Sequence, residues 1–363
     1  MASSDRGQIN WATGTGKGWL IPYFCQLFPK AKIIVTTKSR QVLETNYFRI
    51  AARVPGTGLY HGSKHETGCR VTCVSSGSLH RVVEWAPDIV IADEHHELAT
   101  DTATSVLARF RGARMFGMSA NFCDRLDGAD FELEGIFGPL LSEMSYQEAV
   151  EHGLTVPIEV NWNRVELKRN PCEGLKTDIA RWRNGIWRND ARNKLIANAA
   201  RRYEEEQVLI TVKTVEHACF LARHLPEYTL CYAPGEEYED RIREYVAAGV
   251  LPKKLRQMTH ERLSRLRGRF ETGQLQKVIA TTIWNRGVNF EKLQVLVRAE
   301  SGSSPIDDTQ GPGRLSRTHV GKTCGIVEDF LDEFDKKYEM KATTRARNYR
   351  RKGWKQHFPK EQV

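Results

Sequence analysis

The chain alternates short, near-continuous apolar runs with longer stretches of helical periodicity, and it does so twice. In the first half the runs fall at Gln8–Trp11, Lys32–Thr36, Arg70–Val74, Asp88–Ala92 and Met115–Met118. In the second they fall at Val208–Val212, Thr229–Tyr232, Lys277–Thr281, Val295–Val297 and Gly325–Asp329. Apolar strands spaced by helix-length segments predict parallel sheets with crossover helices on their faces. Between the two sets, GIFGPLLSEMSYQEAVEHGLTVP predicts a turn, a short amphipathic helix around Ser145–His152 and a boundary near Pro157. The expected organisation is an α/β domain over 1–156, a second over 157–337 and a short basic C-terminal tail over 338–363. The basic stretch Arg181–Arg202, helical from Asn189 onward, reads as a solvated face, with contact to a nucleic-acid backbone as the alternative.

A length of 363 residues fits two domains of roughly 150 residues each. Hydrophobic content of 40% and charged content of 27% are ordinary for a soluble globular protein. No run of about 18 apolar residues is present, and MASSDRGQINWATG lacks the apolar core of a signal peptide. Eight cysteines without a C-x-x-C pair read as buried thiols in a reducing, cytoplasmic setting. Charge changes the picture more. From Lys341 onward the chain carries eight Lys or Arg and one Glu, a net +7 of the whole chain's +9. With Tyr349, Trp354 and Phe358 interleaved, that segment suits either a polyanion or a solvated terminal helix.

Three strings carry chemistry. ATGTGKG, Ala12 to Gly18, follows the first apolar strand and precedes a helical run. Small residues let backbone amides curl toward phosphate, the helix adds its positive end, and Lys17 can reach the β- and γ-phosphates. A glycine-rich turn would show the same string. PDIVIADEHHELA ends a buried strand on Asp93-Glu94-His95-His96, at the sheet edge where ligands bind in open α/β folds. One acid can hold Mg²⁺ and its neighbour can deprotonate water. The alternative is a polar strand end; zinc on His95 and His96 is disfavoured because adjacent histidines rarely converge on one metal. QGPGRLSR places Arg314 and Arg317 three apart, a spacing that suits stabilisation of transferring phosphate, or simply a basic helix start. His61, His65, Cys69 and Cys73 recur every four residues, but Gly62, Gly68 and CRVTCV point to turn and strand rather than to a zinc-binding helix.

In this order the strings resemble the superfamily 2 helicases: ATGTGKG motif I, DEHH motif II in its DExH form, SAN (Ser119 to Asn121) motif III and QGPGRLSR motif VI. TTKSRQVLE resembles motif Ia, VSSGSL the strand-contacting segment before motif II, VLITVKTVEHACFLARHL motif IV and ATTIWNRGVNF motif V. The junction between the halves resembles the DNA-directed branch with type III restriction-enzyme helicase subunits and UvsW-like phage helicases. RARNYRRKGW looks like the tails of phage-encoded members.

The resemblance implies two RecA-like domains in tandem and an ATPase acting on nucleic acid, DNA in preference to RNA, with ATP and Mg²⁺ and no membrane. It implies nucleotide contacts from Thr13, Gly14, Thr15, Gly16, Lys17, Gly18 and Gly287. Asp93 is expected on Mg²⁺, Glu94 as base, and Arg314 and Arg317 as arginine fingers. Gln310, His96, Ser119 and Asn121 are expected to couple nucleotide state to motion. Thr37, Ser76, Ser78, Thr281 and Thr282 are expected on the sugar-phosphate backbone. Three departures stand out. Gly18 replaces the Ser or Thr that ligates Mg²⁺. Motif V has Val288-Asn289 after Gly287 where the family has an acid two residues on. Only about a dozen residues precede the P-loop, so the family's upstream adenine-recognising segment is absent, cut off or supplied elsewhere. An RNA helicase and a catalytically weak nucleic-acid-binding protein are the alternative readings.

Overall fold

The computed structural model describes residues 4–120, 130–252, 257–284 and 290–360. The chain divides into two compact units, the first ending at Leu154 and the second beginning at Thr155.

The strands of the first unit are β1 (Arg6–Trp11), β2 (Ile33–Thr37), β3 (Gly58–His61), β4 (Lys64–His65), β5 (Val71–Ser75), β6 (Ile89–Asp93), β7 (Arg114–Ser119) and β8 (Leu140–Met144). Among the described residues they form one sheet in the order β4-β3-β5-β2-β6-β7-β1-β8, parallel except for the β3–β4 hairpin. Alternate residues of β2 show why its run is continuously apolar. Ile33 and Val35 pack with Ile21, Phe24, Leu43 and Ile50 on one face, and Ile34 packs with Val74, Leu79, Val90 and Met115 on the other. Burial on both faces requires apolar side chains at both phases of the strand. Two crossover helices border the candidate site: α1 (Lys17–Leu27) after β1, and α2 (Arg40–Ala51), capped by Ser39, after β2.

The second unit holds β9 (Ile158–Arg164), β10 (Val208–Thr211), β11 (Thr229–Cys231), β12 (Lys277–Ala280), β13 (Val295–Arg298), β14 (Gly325–Leu331) and β15 (Lys355–His357). Their order is β11-β12-β10-β13-β14-β9-β15, with every pairing parallel.

Residues 338–360 of the segment expected as a basic tail are instead part of this unit. The helix Lys336–Arg351 buries Tyr338, Ala342, Arg345, Asn348 and Tyr349, and β15 joins the sheet edge. Arg345 donates to both oxygens of Asp329 on β14 at 3.0 Å, and both side chains are fully enclosed. The Tyr349 hydroxyl donates to the same carboxylate at 2.6 Å. Of the helix's cations, Arg345 neutralises a buried acid, Lys337 pairs with Asp178 at 2.7 Å, Lys341 lies over the Trp182 ring, and Lys336, Arg347, Arg350 and Arg351 are exposed. Arg192 likewise corrects the solvated reading of Arg181–Arg202: it is fully buried and donates to Asp332 at 2.7 Å and to the Ala299 carbonyl at 2.9 Å.

Breaking a buried pair leaves an uncompensated charge, so Arg345→Ala is expected to lower stability by about 3–5 kcal/mol. Urea denaturation checks this; an unchanged midpoint would mean that Asp329 finds equal compensation from Arg298 and Tyr349 alone. Deleting residues 341–363 is expected to do more, because it also strips Trp354 and the edge strand.

Candidate active site

The P-loop leaves β1 at Trp11. Gly14 and Gly16 adopt φ of 93° and 86°, left-handed conformations that favour residues without a Cβ. Gly16 caps α1 without a side chain, so the first amides of the helix face the loop. The Thr15 hydroxyl closes the turn onto the Ala12 carbonyl at 2.7 Å. Lys17 is buried and its ammonium folds back onto the Trp11 carbonyl at 2.6 Å. Thr13, Gly14, Thr15 and Gly18 are partly buried and Gly16 is exposed.

Strand β6 delivers Asp93 in the adjacent part of the same sheet edge, since β1, β7, β6 and β2 are successive neighbours and parallel. The Asp93 carboxylate is buried and accepts from the Asn46 amide of α2 at 2.8 Å. Glu94 turns the chain with φ of 51°, sparsely populated for a side chain and found where a site holds it. Its Oε2 lies 3.5 Å from Nδ1 of His96.

The two histidines part company. Nδ1 of His96 shares a 2.7 Å hydrogen bond with the Ser119 hydroxyl at the end of β7, so the segment after β6 and the end of β7 are joined directly. His95 turns into the core, bonded to Gln8 at 2.7 Å, and burial pushes its pKa down to about 4. A Cβ on Gly117 would fall 2.9 Å from the His95 ring, so that close approach depends on glycine.

Thr37 and Ser78 are buried, the Ser78 hydroxyl accepting from Ser75 at 2.9 Å, whereas Ser76 is partly exposed. In the second unit Thr281 is buried, its amide bonded to the Cys231 carbonyl, and Thr282 is exposed. Gln310 ends the helix Pro305–Gln310, and Arg314 lies in the 3₁₀ helix Pro312–Ser316, with Arg317 immediately after it. All three are partly buried, and Arg314 donates to the Trp284 carbonyl at 2.7 Å. Asp308, on the helix that ends at Gln310, accepts from Arg298 at 3.1 Å and from Asn348 of the C-terminal helix at 2.7 Å. Asn121 and Gly287 lie outside the described residues. Among the described residues, no group of three or more His, Cys, Asp or Glu is placed to hold a metal ion, and no helix is long and apolar enough to cross a membrane.

The sequence reading overlooked Asn46 and Arg49, both on α2. The Arg49 guanidinium occupies the space a side chain at Gly18 would take: an ideal Cβ there falls 2.3 Å from its Nη1. A signal for Asn46 was present, because it is a polar residue in phase with Leu43 and Ile50 on the buried face. Left-handed glycines, helix amides and a buried lysine fit the phosphates of a nucleotide, and Asp93 fits a divalent cation. Gly18 provides that cation with no ligand.

Two parallel α/β units in tandem, the first with a P-loop and an acidic strand end on one sheet edge, define a tandem RecA-like architecture. No protein-family profile matches the chain. Candidate helicase 22 of Sulfolobus islandicus filamentous virus (isolate Iceland/Hveragerdi) is 23% identical over 260 residues. The match covers 68% of this chain and 43% of the viral protein, so the chain spans less than half of that relative. Among solved structures, S. cerevisiae Dbp5 bound to RNA and ADP BeF3 aligns with a TM-score of 0.64 and 13% identity, over 97% of this chain and 85% of Dbp5. The ATP-dependent type ISP restriction-modification enzyme LlaBIII bound to DNA aligns with a TM-score of 0.61 and 13% identity, over 96% of this chain and 28% of that enzyme. The fold is that of the superfamily 2 helicases, with RecA-like domains in tandem.

Proposed function

We propose that the protein is a nucleic-acid-dependent ATPase that translocates on DNA and remodels or unwinds it. The observation that carries this reading is the single sheet edge shared by Lys17, Asp93, Glu94 and the His96–Ser119 pair. Lys17 and the loop amides bind the triphosphate, and Glu94 takes the proton of the attacking water. Mg²⁺ carried with the nucleotide would be held by Asp93 and would neutralise charge on the phosphates. Asn46 orients Asp93 for that task. The His96–Ser119 hydrogen bond gives the base's neighbourhood a mechanical link to motif III, so a change at the phosphate can move β7's end. Arg314 and Arg317 are the second unit's candidates for stabilising the transferring phosphoryl group. Ser76 and Thr282 offer hydroxyls to a sugar-phosphate backbone; Thr37, Ser78 and Thr281 would act through backbone amides.

DNA is preferred on the likeness of the junction and C-terminal segment to DNA-directed members; the fold, shared with RNA-bound Dbp5 and with a DNA-bound restriction enzyme alike, does not discriminate. The test is steady-state ATPase with no nucleic acid, single-stranded DNA, duplex DNA and RNA in parallel. Turnover is expected to rise most with DNA. Stimulation by RNA alone would reassign the substrate, and absence of turnover in every arm would overturn the ATPase reading.

A further inference from the structure

Two lysines of the second unit converge on one indole from elements far apart in the chain. Nζ of Lys213 lies 5.8 Å from the ring centroid of Trp182, and Nζ of Lys341 lies 5.7 Å from it. Lys213 follows β10, Trp182 ends the short helix Asp178–Trp182, and Lys341 belongs to the helix Lys336–Arg351. The ring is itself held, edge to face on buried Tyr338 at 5.0 Å and against the cluster of Cys172, Ile186 and Trp187.

The surrounding charges are matched. Lys337 pairs with Asp178 at 2.7 Å, Arg181 pairs with Asp335, and Arg183 and Arg188 share the buried Glu216. Among the described residues, neither Lys213 nor Lys341 has a carboxylate within 4.0 Å. Lys341 is partly buried. Burial, then the neighbouring Lys337, Lys213 and Arg345, holds its ammonium below the usual lysine range against an upward pull from Asp178. A cation over a ring at an exposed site gains only about 0.5–1 kcal/mol, a weak reason to gather two like charges.

Their place in the fold supplies a stronger one. Strands β10 and β12 are parallel neighbours with Thr211 opposite Ala280, so Lys213 leaves the sheet at the same edge as Thr282. That is the carboxyl edge, where open α/β sheets bind ligands.

We infer that Lys213 and Lys341 together grip one backbone phosphate of the bound nucleic acid, with Trp182 as the platform that positions them. The phosphate supplies the negative charge the pair lacks. Such a contact fixes the strand without reading its sequence. It also brings the C-terminal helix onto the nucleic-acid surface, beyond the hydroxyls at the strand ends.

This inference rests on the nucleic-acid reading, and the experiment separates the two. Binding of a fluorescein-labelled oligo-dT strand to the full chain is followed by anisotropy across a NaCl series. One phosphate contact on a single strand is worth about 0.7 in the log-log salt slope. The double variant Lys213→Gln/Lys341→Gln is expected to lower the slope by about that amount, and each single variant by most of it. A drop of about 1.4 would mean two separate contacts and would overturn the shared grip. Lys341→Arg keeps the charge and is expected to keep the slope. Trp182→Leu is expected to match the double variant, and Trp182→Phe, which retains a ring, to recover much of the loss. Urea midpoints confirm that the lysine variants are folded. An unchanged slope in the double variant would overturn the inference and leave the nucleic-acid reading standing. So would a matching loss of affinity for the fluorescent nucleotide mant-ATP, which would assign the lysines to nucleotide phosphates. Absence of salt-dependent wild-type binding, to oligo-dT and to a matched RNA, would overturn both.

Discussion

Glu94→Gln is expected to abolish ATP turnover while leaving nucleotide affinity within a few-fold of the wild type. Glutamine keeps the size of the side chain and its reach from a backbone already held at φ of 51°. It loses only the capacity to take a proton. Asp93, not Glu94, is the carboxylate placed for a metal: it is buried, oriented by Asn46 and fixed at the last position of β6. Glu94 is partly exposed, with one oxygen 3.5 Å from His96. A positioned base is worth about 10²–10⁴ in rate. Turnover and mant-ATP affinity measured on the same preparation decide the matter. A variant that keeps at least half of wild-type turnover would show that the base lies elsewhere, and one that loses binding in proportion would make Glu94 a ligand.

The ten strands expected from the apolar runs are all present because parallel strands covered on both faces must be apolar at every position, and such runs stand out. What did not stand out is equally physical. Strand β9 alternates Ile158, Val160 and Trp162 with polar residues, and the partner of the polar phase appears only in the fold: Asn161 and Asn163 both donate to Glu328 on the neighbouring β14, at 3.0 and 2.7 Å. Strand β8 lies at the sheet margin, where LLSEM is only partly covered and shows no clear period. The helix Lys336–Arg351 looked like a solvated appendage because charge was counted without its compensation. The acid that neutralises Arg345 sits on β14, in a segment whose carboxylates gave no sign of burial.

The same division runs through the candidate site. Contiguous strings such as ATGTGKG and DEHH are legible because a tight loop and a strand end need fixed residue types at fixed spacing. Asn46 and Arg49 reach the site from a crossover helix, and only the parallel order of β1, β7, β6 and β2 brings that helix beside it. Gly18 was visible as a missing hydroxyl; that an arginine fills its place is a tertiary fact.

Arg314→Ala or Arg317→Ala is expected to cut nucleic-acid-stimulated turnover by about 10³-fold or more, the scale of arginine fingers generally. Both residues belong to the second unit, whereas Lys17, Asp93 and Glu94 belong to the first. Their segment is rigidly built. Leu315 packs so closely over Gly325 of β14 that a Cβ there would lie 2.4 Å from it, and the Ser316 hydroxyl closes onto the Gly313 carbonyl at 2.7 Å. Asp308, upstream on the helix that ends at Gln310, is tied to Arg298 and to Asn348. A segment braced from β13, β14 and the C-terminal helix can present guanidiniums at fixed positions, which transition-state stabilisation requires. Nucleotide affinity is expected to fall far less than turnover, because on the proposed reading the P-loop makes the ground-state contacts. Arg→Lys at either position is expected to rescue poorly, since an ammonium lacks the planar fork. The measurement is kcat with and without saturating DNA, beside mant-ATP affinity. Equal loss of affinity and turnover would make these arginines ground-state phosphate ligands. No loss in either would leave QGPGRLSR as packing within the second unit and would remove that unit from the hydrolytic step.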